Sequence, residues 1–238
     1  MKTSRRQLTV RRRGATALAF AAVCAIAVVS GIAAQAGAAN AKTLGKTQGS
    51  PNPSCPRNCL ATGSVTAFQR EASGKSNLFR ATEDGKIVAW SIDLSRPNKS
   101  QREFFGKFFE SETFGKAPTA GIAVIKRTGG KKYRLKRDSP IVSLGSELGE
   151  HQTFTLGNPL QINKGDILAL TLPTWASNFR GGLSRAKNEF RASRSSRKCT
   201  SNKDIKDGRP HRAVDSERVY GCDYKGSRLL YWGYYRPD

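Results

Sequence analysis

The chain has 238 residues, with 41 Lys and Arg against 18 Asp and Glu, a formal net charge of +23. A field of that size points to polyanionic partners: an acidic polysaccharide or cell-wall polymer, nucleic acid as a competitor, or anionic lipid headgroups. There is no internal repeat, and past Val29 no apolar stretch is long enough to span a bilayer, which excludes repeat architectures and any transmembrane segment in the exported chain.

Lys2, Arg5, Arg6 and Arg11 to Arg13 precede the apolar, Ala-rich stretch Ala15 to Val29 without an intervening acid. Ala36-Gly37-Ala38 and Ala39-Asn40-Ala41 both fit a small-residue cleavage site. A signal peptide over 1–41 is expected, cut after Ala41, with cutting after Ala38 as the alternative. The protein is thus expected to be secreted, by the general route. Ser4-Arg5-Arg6-Gln7-Leu8 resembles a twin-arginine signal, but Arg11-Arg12-Arg13 suits an ordinary basic leader. Val23 before Cys24 argues against lipoprotein processing. Removing the six basic residues of the leader leaves 35 against 18, or +17.

Lys42 to Ser54 is rich in Gly, Ser, Thr, Asn and Pro and predicts a flexible linker, residues 42–54. Cys55 to Asp238 then suits a single domain, residues 55–238. Four cysteines remain in an exported chain: Cys55, Cys59, Cys199 and Cys222. Three disulfide pairings are open, and Cys55–Cys59 with Cys199–Cys222 is preferred because each joins near neighbours. The second would close a 24-residue loop and stabilise by about 3 kcal/mol in the chain-entropy model. A zinc site is the rival, but C-x3-C is only loosely finger-like, so no metal and no cofactor is expected.

Periodicity from here is mostly two. Lys86 to Leu94 puts Val88, Trp90, Ile92 and Leu94 on one face, after an Asp84-Gly85 turn. Ser100 to Glu112 differs: Phe104, Phe105, Phe108 and Phe109 fall on one helical face, with Ser100 as cap and Glu103 as its capping-box partner. A short helix over 100–112 that plugs one end of the fold is expected; a membrane-dipping helix is the alternative, opposed by Glu103, Glu110 and Glu112. Gly121 to Lys126, the Thr128-Gly129-Gly130 turn and Tyr133 to Arg137 predict a hairpin. Gln152 to Leu156, then Ile167 to Leu172 after a Lys164-Gly165-Asp166 turn, add strands, as do Val219 to Cys222 and Leu229 to Tyr235. Short strands at this spacing predict an all-β fold, an antiparallel two-sheet sandwich, jelly-roll-like.

Two stretches are candidates for binding. Arg180 to Arg212 holds eleven Lys/Arg against Glu189, Asp204 and Asp207. Within it Arg185, Lys187, Arg191, Arg194, Arg197 and Lys198 form a candidate polyanion-binding patch, set against a solvated loop that merely keeps the protein soluble. Toward the C-terminus, Trp175, Tyr231, Trp232, Tyr234 and Tyr235 are candidate glycan-stacking rings, since Trp and Tyr faces stack on sugars while their edges tolerate water. Core packing is the competing role, with Leu230, Trp232 and Tyr234 on one face and Leu229, Tyr231 and Tyr235 on the other.

Catalytic motifs are missing. The exported chain has two histidines, His151 and His211, and neither HExxH, GxSxG nor a Gly-rich phosphate loop before a helix occurs. In Gly145-Ser146-Glu147-Leu148-Gly149 the serine stands one place too early for a nucleophile elbow. No catalytic residue is assigned. Cys55-Pro56-Arg57-Asn58-Cys59 leading into Gly63-Ser64-Val65-Thr66, the Asp84 to Trp90 strand, and Lys164 to Leu170 resemble uncharacterised secreted proteins of high-GC Gram-positive bacteria. That resemblance implies export and a single sandwich domain, and no activity. The expected function is a secreted, non-catalytic binding module for an acidic glycan or cell-envelope polymer. A structural or protein-interaction role outside the cell is the first alternative, an unrecognised extracellular hydrolase the second. Oligomeric state is not fixed by the sequence.

Overall fold

The computed structural model describes residues 41–238. The expected signal peptide and the choice of export route lie outside the described residues, Ala41 excepted. The first elements are β1 (Lys42–Leu44), β2 (Thr62–Ala72), β3 (Lys75–Ser76), β4 (Gly85–Asp93), α1 (Lys99–Phe108), β5 (Thr119–Gly129), β6 (Lys132–Asp138), β7 (Val142–Ser143), β8 (His151–Ile162) and β9 (Ile167–Ala176). There follow β10 (Phe179–Arg180), β11 (Glu189–Ala192), α2 (Asn202–Lys206), β12 (Glu217–Val219), β13 (Cys222–Lys225), β14 (Arg228–Leu229) and β15 (Tyr231–Pro237).

Two antiparallel sheets face each other. One runs β1-β15-β4-β8; the other runs β6-β5-β9-β2, extended by β12 beyond β6 and by β11 and β13 beyond β2. Numbered along the chain, the eight strands of these two four-stranded cores read 1-8-3-6 and 2-7-4-5, the order of a jelly roll. The expected sandwich is therefore present. Residues 177–230 are an insertion before the last strand, and they carry the whole basic segment, Arg180 to Arg212. The core lies between the sheets: Trp90, Ile92 and Tyr235 on one side, Val65, Ile122 and Leu168 on the other. The sheets approach closely enough that a Cβ on Gly233 would stand 2.6 Å from Leu168 Cδ2.

Every position of β9 is buried. A sheet covered on one face would alternate, so the unbroken apolar run Ile167 to Leu172 reports cover on both. The outer cover comes from residues 210–220. The His211 backbone N–H donates to Thr66 Oγ1 at 2.9 Å, and Thr66 Oγ1 lies 3.1 Å from Thr171 Oγ1. Tyr220 packs on Tyr133 and Phe68.

Three expectations need correction. Residues 42–54 are not a free linker: β1 is the first jelly-roll strand, pairing Lys42, Thr43 and Leu44 with Tyr235, Tyr234 and Gly233. Leu44 is buried, and the buried Arg228 guanidinium donates to Thr47 Oγ1 at 2.6 Å. Distant partners order a segment whose composition is that of a tether. Along β4 the alternation breaks at a bulge between Ile87 and Ala89, so Ile87 enters the core in place of Val88. The helix runs over Lys99–Phe108 instead of 100–112, and its cap stands two residues earlier than Ser100: Asn98 accepts from the Gln101 N–H at 2.9 Å, while Gln101 Oε1 accepts from the Asn98 N–H. Ser100 only donates to Asn98 Oδ1. Phe105 and Phe109 do plug the end of the sandwich against Trp175 and Leu148, whereas Phe104 is 61% exposed.

Candidate functional site

A cleft of about 530 Å³ opens where the large sheet loses a strand. β9 starts only at Ile167, and its pairing with β2 ends at Ala67↔Leu170 and with β5 at Ile125↔Ile167. The chain at Phe79 and Arg80 takes the vacated edge: Leu168 N–H donates to Phe79 O at 2.9 Å, and Arg80 bridges Ile167. This wedges the end of β2 away from the β5–β6 hairpin. Phe68, Phe79, Tyr133 and Ile167 floor the gap, and Arg70, Arg80, Arg127 and Lys131 stand around it. At the hairpin turn Gly130 has φ +49°, a conformation that favours glycine.

Charge in the cleft is unevenly compensated. Asp223 accepts from Arg191 Nε at 2.6 Å and Nη2 at 3.0 Å, and from Lys131 Nζ at 2.8 Å. Arg70 pairs with Glu189. Partial burial alone would raise the Asp223 pKa, but the hydrogen bonds from Arg191 and Lys131 outweigh it and hold the carboxyl below its usual value. Asp223 and Glu189 are thus committed to Arg191, Lys131 and Arg70. Arg80 donates to Gly165 O at 2.8 Å and Arg127 to Gly130 O at 2.9 Å. Among the described residues neither pairs with a carboxylate.

The expected six-residue basic patch does not exist as one surface. Arg191 is 7% and Arg194 6% exposed. Arg194 donates to Gly63 O at 2.6 Å and Tyr224 Oη at 3.2 Å, tying the insertion to β2 and β13. Arg185, Lys187, Arg197 and Lys198 are exposed. Both preferred disulfides are present, Cys55–Cys59 with Cα atoms 4.0 Å apart and Cys199–Cys222 with 5.3 Å. The second fastens the basic loop to β13.

Nor do the expected stacking rings form a platform. Trp175, Tyr231 and Tyr235 are each 1% exposed, and Trp175 Nε1 donates to Lys116 O at 2.9 Å. Buried this far, these three leave no ring surface for a sugar. Trp232 and Tyr234 do lie on the outer face of the small sheet. There the His151 ring stacks on Trp232 at 5.0 Å, Lys46 Nζ sits 5.1 Å from the same ring, and Trp232 is 6% exposed. Tyr234 is half-buried; desolvation would raise its pKa, but its polar surroundings, with Ser91 Oγ donating to Tyr234 Oη at 3.3 Å, and the Lys46 charge lower it.

Among the described residues one serine–histidine pair occurs: Ser216 Oγ lies 2.9 Å from His211 Nε2. His211 is fully buried, its Nδ1 is 3.2 Å from Tyr220 Oη, and Ser216 Oγ donates to Ala213 O. These bonds satisfy a turn under the sheet, and among the described residues no carboxylate orients the imidazole. Ser146 donates to Glu147 Oε1 in its loop, and the Gly165-Asp166 pair serves as a turn, with Asp166 Oδ2 accepting from the Asn163 N–H at 3.1 Å. Among the described residues no His, Cys, Asp and Glu cluster could hold a metal ion, and no helix is long and apolar enough to cross a membrane.

The cleft residues Arg70, Arg80, Arg127 and Lys131 escaped the sequence reading because 61 positions of chain join them. The sole local trace is the Arg127 to Lys131 turn, basic at both ends. Comparison with known proteins adds nothing to the geometry: no family model, curated protein or solved structure matches the chain.

Proposed function

We propose that this protein is an exported, non-catalytic binding module whose cleft holds the acidic groups of a cell-envelope glycan or related anionic polymer. The observation that carries this reading is the pair Arg80 and Arg127, two guanidiniums at one cleft without a carboxylate partner among the described residues. Arg191, the structural arginine that lines the same cleft, has its carboxylate in Asp223. A planar guanidinium suits sulfate, phosphate or carboxylate in bidentate contact. Two disulfides and a leader of signal-peptide pattern support an oxidising destination outside the cytoplasm.

Chromatography of the purified protein on immobilised heparin, a glycerol-phosphate polymer and a neutral glucan tests it. Retention on the acidic supports at low salt, released as salt rises, and flow-through on the glucan is the expected pattern. Retention on the neutral support that resists salt would overturn it.

A further inference from the structure

The cleft is the first of three depressions in a row. It shares Gly130 and Lys131 with a depression at the β5–β6 turn, which in turn shares Val219 with one over the insertion. Basic side chains continue along them: Lys132 in the second, Lys198, Arg209 and Arg218 in the third. Among the described residues none of these four has a carboxylate within salt-bridge reach, and Glu217, the one acid of the second depression, is paired with Arg134. The third holds Asp204 and Asp207, and Asp204 accepts from Ser201. A fourth depression, reached through Gly208 and Arg209, balances Arg209 and Arg212 against Glu110 and Glu112, so the excess of positive charge ends there.

From β2 to β12 the row crosses β9, β5 and β6, four strand spacings of about 4.8 Å, or about 20 Å along the sheet. A single sugar or a free sulfate ion fills only a fraction of that length. We infer that the three depressions form one track, which binds an extended, linear acidic glycan through several successive repeat units. This inference rests on the cleft's reading as an acidic-polymer site. A row that crosses a twisted sheet and then turns onto the insertion can be followed by a flexible single chain. Duplex DNA, stiff over about 150 bp, follows such a bend only at an energetic cost. The anionic group itself, sulfate, carboxylate or phosphodiester, is recognised here by the same guanidinium and ammonium chemistry.

Calorimetric titration with a heparin-derived tetrasaccharide and dodecasaccharide is the test. The dodecasaccharide should bind at least about tenfold more tightly and with a steeper salt dependence, because more cations are engaged. Lys198→Ser with Arg209→Ser, both exposed and distal, should weaken the dodecasaccharide about tenfold and leave the tetrasaccharide unchanged; Lys198→Ser alone should do the same to a smaller degree. Arg127→Ser should weaken both oligosaccharides. A glycerol-phosphate oligomer of the dodecasaccharide's charge, bound more tightly, would assign the phosphodiester source, and bound more weakly, the sulfate or carboxylate source; either ordering supports the track if distal variants weaken it. Equal affinity for short and long oligosaccharides, or distal variants without effect, would overturn the track and leave the cleft standing. No binding of either oligosaccharide would overturn the cleft as well. Tighter binding of duplex DNA than of the dodecasaccharide at equal charge would overturn the glycan assignment.

Discussion

Arg191 holds Asp223 in a two-point grip, Nε at 2.6 Å and Nη2 at 3.0 Å, across 32 residues of chain. The contact joins β11 to β13 and places a third donor, Nη1, 3.3 Å from Tyr133 Oη at the cleft floor. It spends on structure a charge that the sequence offers to a ligand. Fully buried pairs lose about 3–5 kcal/mol when one partner is removed, but Asp223 is partly exposed here. Arg191→Ser should therefore cost about 2–3 kcal/mol in denaturant unfolding, below that full loss. Arg197→Ser, at an exposed position, should stay within about 0.5 kcal/mol of the parent. Equal effects from the two would contradict the division between structural and surface arginines.

Trp175 belongs to the core, packed on Phe105 at 5.4 Å between centroids and bonded to Lys116 O. Trp175→Ala should lower stability by about 3–5 kcal/mol, as for other buried aromatics. Binding per folded molecule should be unchanged, measured by titrating an acidic polymer below the melting temperature. Lost binding with unchanged stability would return this ring to the surface.

His211 gives the protein a pH dependence. Burial lowers its pKa first and the nearby Arg218 charge adds to that, while the hydrogen bond to Ser216 opposes them. The folded state therefore binds the proton less readily than the unfolded state, whose value stays near 6.5. The stabilisation is complete above about pH 6.5 and falls as pH drops toward the lowered folded value, with a slope of at most about 1.4 kcal/mol per pH unit. His211→Gln should flatten this slope whatever it does to absolute stability. Parallel stability curves for the two proteins between neutral pH and pH 5 would contradict it.

The sheets were legible where alternation is local. The hairpin across Gly129-Gly130, the turn at Gly165 and the strand through Trp90 can each be read from adjacent residues, and the jelly roll follows from their number and spacing. What was hidden depends on partners far along the chain. A bulge exchanges Ile87 for Val88 without changing composition, and residues 42–54 are ordered by Tyr235 against Lys42 and by Arg228 against Thr47, nearly two hundred residues on. Charge is the harder case. Whether an arginine is free depends on which acceptors meet it in space, a carboxylate for Arg191 and a backbone carbonyl for Arg194, so in sequence both read like Arg197, and Arg80 carries no local mark.

The central claim is that Arg80 and Arg127 serve a ligand. Titrating the parent protein and the Arg80→Ser/Arg127→Ser variant with a heparin dodecasaccharide over a range of salt concentrations tests this directly. The variant should bind at least about tenfold more weakly, and its plot of log affinity against log salt should be shallower by about two, one for each cation removed. Circular dichroism and melting temperature should stay close to the parent's. Equal affinity and an equal salt slope in parent and variant would contradict the account.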